Sequence, residues 1–246
     1  MTAMRFAVDL HMHSCLSPCG DMDMTPNNLV NMSKLKGLDM IAVADHNTAA
    51  QLPSVARVAE AVGVALLPAI ELTTREEAHV LSYFKTVEEA VDFSREIYEF
   101  LPPIRNRASL FGMQARMDED DEIVGEEDRL LISALSLSLD DLAERVTARG
   151  GLFVPAHINR GANGILQALG FLPPGMPCSA LEVTVGLPLP HKGIPELPQL
   201  HSSDAHYLEN IFERTEFLEL DECSPNGFFE YIRAWRPAKE AQNAPQ

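Results

Sequence analysis

The stretch Asp9-Leu10-His11-Met12-His13-Ser14 places two histidines two residues apart at the end of a short apolar run. Residues i and i+2 of a β-strand point to the same side, so both imidazoles are expected to face one spot. The stretch Asp204-Ala205-His206 repeats this spacing near the other end of the chain. Each stretch therefore predicts a pair of metal-ligating groups at the end of a strand.

Further candidate ligands stand between these two stretches, each beside a short apolar run. They are His46 after residues 40–43, Glu71 after residues 64–67, His79 before residues 80–81, and His157 after residues 152–154. Six of the 8 histidines thus lie at strand ends beside a carboxylate or another histidine, a placement that isolated surface histidines would not share. We expect these side chains to converge on a multinuclear metal centre ringed by strand ends.

In these motifs the chain resembles the PHP family, the metal-dependent phosphoesterases named after polymerase and histidinol phosphatase. The motifs follow in the family's order as residues 9–14, Ala44-Asp45-His46-Asn47-Thr48, Glu71 with His79, Pro155-Ala156-His157 and Ser203-Asp204-Ala205-His206. The match extends from residue 8 to residue 206. The resemblance implies an α/β fold, a distorted (β/α)7 barrel with a short insertion, and a trinuclear centre of divalent ions such as Mn, Fe or Zn.

The resemblance also implies how the ligands are shared among the ions. One ion would take His11, His13, Glu71 and Asp204, a second would share Glu71 with His79 and His157, and a third would take Asp21, His46 and His206. The loop around Asp21 departs from the family's S-D-G-x-L-T-P, because Met22 stands where the family has glycine. Asp23 offers a competing carboxylate in the same loop.

Such a ligand set indicates a particular chemistry. Imidazole and carboxylate ligands suit Zn, Mn and Fe. Closely spaced divalent ions acidify a bound water and offset charge on phosphoryl oxygens, so we expect phosphate ester hydrolysis by metal-activated water. Either His157 or a metal-bound water would protonate the leaving group. Arg160, three residues after His157, is placed to bind a phosphate bidentately, or is a solvated loop arginine.

Several neighbours of the motifs are expected to support the site. Adjacent residues of a strand point to opposite sides, so we expect His46 to be a ligand and Asp45 to orient a ligating imidazole by a hydrogen bond. Asp9 either does the same or satisfies polar groups of the barrel. Asn47 and Thr48 either donate to substrate or cap the helix expected from about residue 49.

Other polar residues fit no family position. We expect a structural role for His201 and an exposed, proline-rich loop around His191. The 4 cysteines are expected to be free thiols rather than a disulfide framework. Cys15 and Cys19 stand directly beside the first motif, and inert packing, a redox-sensitive bond and a metal role all remain open for them.

Composition bounds the class of protein. A chain of 246 residues that is 46% hydrophobic can bury one core, which predicts a single domain over residues 1–236 followed by a flexible tail at 237–246. No run approaches about 18 apolar residues and no leader peptide precedes the first strand, so we expect a cytoplasmic protein without a membrane partner. The net charge of -17 argues against a large nucleic-acid surface.

Strands and helices are expected to alternate along most of the chain. Helices are predicted from Pro26 to about Lys36 and at 49–62, 138–149 and 226–235, with strands between them. This βαβ order predicts parallel strands with the chemistry at their carboxyl ends. The alternation lapses at residues 86–136, which are predicted to form an inserted lid or flap. Eight acids among residues 118–128 lack the pattern of a calcium loop and are expected to be solvated.

Together these features predict a metal-dependent hydrolase of a small phosphorylated metabolite or nucleotide. The acidic surface favours a phosphomonoesterase over a nuclease, although a nuclease acting on short oligonucleotides needs few basic contacts. A metal-dependent hydrolase of an amide or cyclic ester is a second class. A non-enzymatic metal-binding module is a third, against which the presence of every metal-binding position counts.

Overall fold

A computed structural model of the protein describes residues 3–189 and 192–237. Its strands are β1 (Met4–Met12), β2 (Met40–Val43), β3 (Ala65–Leu66), β4 (Ala69–Thr73), β5 (His79–Tyr83), β6 (Ala115–Met117), β7 (Ile123–Glu126), β8 (Leu152–Pro155), β9 (Leu181–Glu182), β10 (Gln199–Leu200) and β11 (Phe217–Leu220). Its α-helices are α1 (Pro26–Leu35), α2 (Leu52–Val62), α3 (Val87–Tyr98), α4 (Ala108–Phe111), α5 (Leu139–Ala148), α6 (Ile165–Leu169) and α7 (Pro225–Ala234).

The described strands form four sheets. The largest has the order β11-β1-β2-β3, in which β1, β2 and β3 are parallel and β11 pairs antiparallel with β1. A second sheet, β4-β5-β8, is antiparallel throughout. Strands β9 and β10 pair in parallel, and β6 and β7 form an antiparallel hairpin. The α/β class predicted from the sequence is confirmed.

The prediction of parallel strands is wrong for the β4-β5-β8 sheet. Parallel neighbours need a crossover of about a dozen residues or more, whereas residues 74–78 alone join β4 to β5. The chain therefore turns back directly, and the turn is closed by a hydrogen bond from Thr74 N to Ala78 O at 2.9 Å. As a result His79 lies at the amino end of its strand and still faces Glu71 on the neighbouring strand.

Short backbone links join the sheets where the predicted ligands lie. Met12 bridges to Ala205 and His46 bridges to Glu71, both in the parallel sense. Ile158 N donates to Glu182 O at 3.0 Å, which links the end of β8 to β9. These links bring the strand ends together around one region, and the closed (β/α)7 barrel stays a prediction.

The helix predicted from residue 49 begins later, at Leu52. Residues 50 and 51 form a turn before it, and Thr48 Oγ1 accepts a hydrogen bond from Ala50 N at 3.2 Å. The residue at the start of the helix is Gln51, whose side chain does not cap it. The Thr25 cap and Pro26 start predicted for α1 are confirmed, since the Thr25 side chain accepts from Asn28 N.

The inserted segment at residues 86–136 is packed against the rest of the protein. Phe93 and Ile97 of α3, and Leu131 and Leu135 near the end of the segment, are buried in the main hydrophobic core. The acidic run also has a structural contact that the sequence analysis did not anticipate. Asp121 accepts hydrogen bonds from the Thr25 hydroxyl at 2.7 Å and from Asn27 N at 3.0 Å, at the start of α1. This negative charge is favourable beside a helix N-terminus.

Some predictions fall outside the described residues or concern features that the fold does not test. His191 and residues 238–246, which include most of the predicted tail, lie outside the described part of the chain. None of the described helices is long and apolar enough to cross a membrane. The single domain over residues 1–236 stays a prediction.

Replacing Gln51 by alanine should lower the stability of the fold. The buried Gln51 amide donates to Met117 O at 2.7 Å and accepts from Met117 N at 3.0 Å, which ties the inserted segment to α2. Its loss leaves two buried backbone groups without partners, so Gln51→Ala should reduce the free energy of unfolding by about 2 kcal/mol. Urea denaturation measures this. The exposed Gln167→Ala should change the value by less than about 0.5 kcal/mol, and equal effects would contradict the assignment.

Candidate metal centre

Glu71 lies at the middle of the predicted ligands. Its side chain is buried on β4, and five imidazoles surround its two carboxylate oxygens. Oε1 lies 2.8 Å from His79 Nδ1, 3.2 Å from His157 Nε2 and 3.5 Å from His11 Nε2. Oε2 lies 3.1 Å from His46 Nδ1 and 3.3 Å from His13 Nε2. The carboxylate therefore joins candidate ligands from β1 and β5 and from the segments that follow β1, β2 and β8.

Asp204 closes the cluster from the opposite side. Its Oδ1 lies 3.2 Å from His13 Nε2 and 3.5 Å from His11 Nε2. His206 follows two residues later, and its ring stacks on that of His13 with centroids 4.3 Å apart. The two pairs identified by their spacing in the sequence thus meet, because Met12 and Ala205 are bridged in parallel.

Three groups of side chains can each present ligand atoms within 4.8 Å of one another. The groups are His11 with His13 and Asp204, His46 with Glu71 and His79, and His13 with Cys19, His46 and His206. His157 contacts Glu71 but belongs to none of the three. Such groups are consistent with more than one ion, and the trinuclear centre itself stays a prediction.

The Asp21 carboxylate makes a local contact instead of joining these groups. Its Oδ1 accepts a hydrogen bond from Asp23 N at 2.8 Å, which forms a local turn, and Asp23 is exposed. Neither carboxylate is a member of the three groups, whereas the Cys19 thiol is. The backbone of Asp21 remains close, since its N–H donates to His206 O at 2.9 Å.

Buried polar atoms without hydrogen bonds show that this donor set fits metal ions. His46 Nδ1, His157 Nδ1 and Glu71 Oε2 are buried and have no hydrogen-bond partner. The 3.1 Å contact between His46 Nδ1 and Glu71 Oε2 lacks hydrogen-bond geometry. Leaving such atoms unsatisfied is costly, and native proteins rarely do so. A divalent cation would satisfy Glu71 Oε2 and the imidazole nitrogens that face it.

The cluster forms the floor of a pocket of about 260 Å³. The pocket is lined by Cys19, His46, Glu71, His79, Ile132, His157, Arg160, Ala162, Asn163, Asp204 and His206. Arg160 supplies the basic side chain of this lining, and its guanidinium forms an ion pair with Asp204 Oδ2. Ile132 of this lining lies in the inserted segment, whose role as a lid or flap stays a prediction. His201 instead pairs with Glu216 at 3.1 Å, outside the pocket.

The sequence profile of the PHP domain matches residues 9–145, which is more than half of the chain. The chain belongs to the PHP domain family. No curated protein sequence matches it. The resemblance proposed from the motifs is therefore confirmed, and the profile covers the motifs from the first strand to His79.

Solved structures of several proteins have the same fold as this PHP domain. The lesion-specific endonuclease Q of Pyrococcus furiosus superposes with a TM-score of 0.64 at 18% identity, over 95% of this chain and 57% of the endonuclease. A protein of Bifidobacterium adolescentis assigned as a metal-dependent phosphoesterase gives 0.54 at 18%, over 95% and 98%. An amidohydrolase of Chromobacterium violaceum gives 0.53 at 17%, over 96% and 99%. This chain thus spans just over half of the length of the endonuclease.

Glu182 is a functional candidate that the sequence analysis missed. This buried side chain on β9 lies with Oε1 3.1 Å from His11 Nδ1, and its Oε2 accepts from His157 N at 2.8 Å. It therefore orients one candidate ligand and anchors the backbone of another. The available signal was a single carboxylate inside the apolar run Ala180-Leu181-Glu182-Val183.

Asp45 accepts hydrogen bonds from two serines, one of which contacts His13. Its carboxylate accepts from Ser14 Oγ at 2.6 Å and from Ser17 Oγ at 2.7 Å, and Ser17 Oγ lies 3.0 Å from His13 Nδ1. The expected hydrogen bond from Asp45 to an imidazole is thus indirect. His46 faces Glu71, as expected from the opposite orientation of adjacent strand residues.

Asp9 and Asn47 stabilise the backbone around the site. Asp9 accepts from Ser203 N and Phe212 N, both at 3.0 Å, and so holds the segment that carries Asp204. Burial raises the pKa of Asp9 to about 6, although these hydrogen bonds oppose the shift. Asn47 caps no helix. Its side chain accepts from Thr73 N at 3.0 Å and donates to carbonyl oxygens of residues 131 and 133.

Four residues of the site adopt a left-handed backbone that non-glycine residues rarely use. The φ angles are 54° at Asn47, 29° at His157, 54° at Asn163 and 53° at Asp204. Asn163 also places its side-chain amide 3.0 Å from His79 Nε2. Such conformations are unfavourable by about 1–3 kcal/mol each and persist where surrounding contacts enforce them, typically at functional sites.

Electrostatics prepare the ligands for cation binding. Burial alone would raise the pKa of Glu71, but His79, His11 and His46 hold it well below its usual range. Burial would likewise raise the pKa of Asp204, and His11 and His13 lower it. Burial lowers the pKa of His46, and it lowers that of His206 to about 4. At neutral pH these carboxylates are ionised and these two imidazoles are neutral, which are the ligating forms.

Replacing Glu182 by glutamine should weaken metal binding without unfolding the protein. The amide keeps the shape of the carboxylate but removes the charge that orients His11, and loss of such an outer partner typically costs 10- to 100-fold in metal affinity. Competition with a chelating dye measures the affinity. Glu216→Gln removes the charge from the His201 pair outside the pocket and is the matched control. Equal affinities of the two variants would contradict the role of Glu182.

Metal affinity should rise with pH. Burial would lower the pKa of His13, but hydrogen bonds with Asp204 and Glu71 raise it to about 9, so the apoprotein carries a proton on His13 below that pH. Ligation requires the neutral imidazole, so each displaced proton should increase the apparent affinity for Mn²⁺ by up to about tenfold per pH unit. Calorimetry between about pH 6 and pH 8.5 measures this trend, and an affinity that falls with pH would contradict it.

Proposed function

We propose that this PHP domain hydrolyses small phosphomonoesters with the help of two or three divalent ions. The observation that carries the proposal is the position of Arg160, which lines a pocket whose floor consists of imidazoles and carboxylates. An anion-binding group beside a cation-binding floor suits a phosphoryl group, whose oxygens are negative. The fold is shared with proteins of other activities, so the argument depends on these side chains.

The residues that would hold the ions are the members of the three ligand groups together with His157. Their oxygen and nitrogen donors suit Mn, Fe or Zn, and one group also contains the Cys19 sulfur. When bound, divalent ions would lower the pKa of water and offset charge on the phosphoryl oxygens. Glu71 would serve more than one ion, because its two oxygens face different histidines.

Arg160 would bind and orient the phosphate. Its side chain is 46% exposed, and its ion pair with Asp204 keeps the guanidinium at the edge of the pocket. A guanidinium has five N–H donors in a planar fork, so donors remain for two phosphate oxygens. Asp204 thereby positions the arginine as well as contacting His11 and His13. His157 directs Nε2 at Glu71 Oε1 at 3.2 Å, and we assign it as a ligand or as the donor of a proton to the leaving group.

The size and charge of the protein favour a small substrate. A volume of about 260 Å³ accommodates a phosphoryl group and a modest substituent. The net charge of -17 disfavours binding along a polynucleotide backbone. Ile132 of the inserted segment lines the pocket, and we assign it to substrate selection. Cleavage of short oligonucleotides and hydrolysis of amides or cyclic esters are the alternatives.

A substrate panel tests this function directly. Protein purified without chelator would be subjected to elemental analysis and then incubated with phosphomonoesters, phosphodiesters, amides and lactones. Phosphomonoesters should be hydrolysed with the highest kcat/KM, and the fully loaded sample should contain at least two metal ions per chain. Faster cleavage of diesters or amides would replace the proposal by the corresponding alternative. Fewer than two ions per chain would reject the multinuclear centre.

Replacing Arg160 by alanine should impair phosphomonoester hydrolysis while metal remains bound. Loss of hydrogen bonds to a charged group costs about 1.5–3 kcal/mol, so kcat/KM should fall by about 10- to 100-fold. Steady-state kinetics measure the loss, and elemental analysis checks the metal content. Arg105→Ala removes an arginine that is 86% exposed and lies outside the pocket lining, and it should leave kcat/KM unchanged. An unaltered Arg160→Ala enzyme would contradict the assigned role.

A further inference from the structure

The Cys19 thiol lies close to three imidazoles of the site. Cys19, His13, His46 and His206 can present ligand atoms that all lie within 4.8 Å of one another. The family resemblance assigned this place to Asp21, yet that carboxylate is engaged with the backbone of Asp23. The residue available to complete the ligand set of His46 and His206 is therefore a cysteine.

The loop that carries Cys19 is held tightly against the site. Gly20 N donates to Ser17 O, and Asp21 N donates to His206 O, both at 2.9 Å. A side chain at Gly20 would collide with the carbonyl oxygen of Ser14, so the loop can pack this closely only with glycine there. Cys19 thus lies between two backbone hydrogen bonds. One of them is accepted by the carbonyl oxygen of His206, which is itself a candidate ligand.

The inserted segment supports the same loop from outside. Gly112 has a φ of +95°, and a Cβ there would collide with the carbonyl oxygen of Pro18, the residue before Cys19. Cys15 N donates to Met24 O at 3.0 Å, which closes the base of the loop. These contacts hold the loop against the pocket that Cys19 lines.

The other cysteines have different surroundings. Cys15 is buried, and its thiol is directed at Ala115 O at 3.6 Å, within a small apolar cluster. The Cys223 thiol contacts Asp39 O at 3.5 Å, outside the pocket lining. All 4 cysteines are free. Only Cys19 among them is a member of a ligand group in the part of the chain that the structure describes.

We propose that Cys19 binds one metal ion of this site as a thiolate, together with His46 and His206, in the place that the family motif gives to an aspartate. The inference deepens the proposed function and rests on its metal centre. Binding converts the thiol to a metal thiolate and releases one proton to solvent. A thiolate among imidazoles favours softer ions, so this position should select Zn²⁺, Co²⁺ or Fe²⁺ over Mn²⁺.

Cobalt substitution tests the assignment without relying on activity. The full chain would be loaded with Co²⁺ under reducing conditions, and its near-ultraviolet absorption would be recorded for a thiolate-to-cobalt charge-transfer band. The native chain and the Asp21→Asn variant should both show the band. Cys19→Ser should lack it, and Cys223→Ser, which removes a thiol outside the site, should retain it. Urea denaturation and circular dichroism would verify that each variant is folded.

Metal competition provides a second measurement. Cys19→Ser should lose affinity for Zn²⁺ by at least about tenfold at one site. Loss of a residue that only hydrogen-bonds to a ligand already lowers metal affinity by about 10- to 100-fold, and loss of a ligand itself should cost at least as much. Its affinity for Mn²⁺ should change less, because a hydroxyl oxygen suits the harder ion. Equal losses for both metals, or no loss for Zn²⁺, would overturn the proposal.

The outcomes separate this inference from the proposed function. A native chain that binds two or more cobalt ions without a charge-transfer band would overturn the role of Cys19 and leave the phosphoesterase proposal intact. A band that survives in Cys19→Ser but disappears in Cys15→Ser or Asp21→Asn would also overturn it. A Cys19-dependent band in a chain that releases no phosphate from any monoester would reject the proposed function and support thiolate ligation.

Discussion

The burial of Glu71 among five imidazoles is the constraint on which the rest of this structure depends. A carboxylate in such a place is stable only if positive charge compensates for its lost hydration. Protonated histidines could provide part of that charge, but His46 is held neutral by burial, and Glu71 Oε2 lacks a hydrogen bond. Divalent cations would satisfy the carboxylate and the imidazoles together, which explains why so many polar groups tolerate burial here.

The fold meets this constraint with strand ends and short backbone links. The parallel bridges Met12–Ala205 and His46–Glu71 place ligands from distant parts of the chain side by side. Left-handed residues then direct individual side chains, and buried carboxylates at positions 9, 45 and 182 secure the loops and rings behind them. The ligands are therefore positioned by rigid neighbours, as tight metal binding requires.

The inserted segment contacts several other parts of the protein besides the pocket. It packs into the core through α3, contributes Ile132 to the pocket and contacts the loop around Cys19 through Gly112. Its acidic turn also contacts the start of α1 through Asp121. A change in this segment would thus affect the ligand loop and the substrate pocket at the same time. This arrangement couples the part of the chain assigned to substrate selection with the metal centre.

The sequence by itself determined the α/β class, the family, and the histidines and carboxylates that converge, because strand alternation places His11 with His13 and because the motifs are local. The start of α1 was also readable from Thr25 and Pro26, since a helix cap depends on neighbouring residues. Only the tertiary structure decided the antiparallel β4-β5-β8 sheet, the position of Cys19 beside His13, His46 and His206, and the contacts of Glu182 and Gln51. These features depend on contacts between residues far apart in the chain, and local spacing carries no information about which distant partner a side chain will meet.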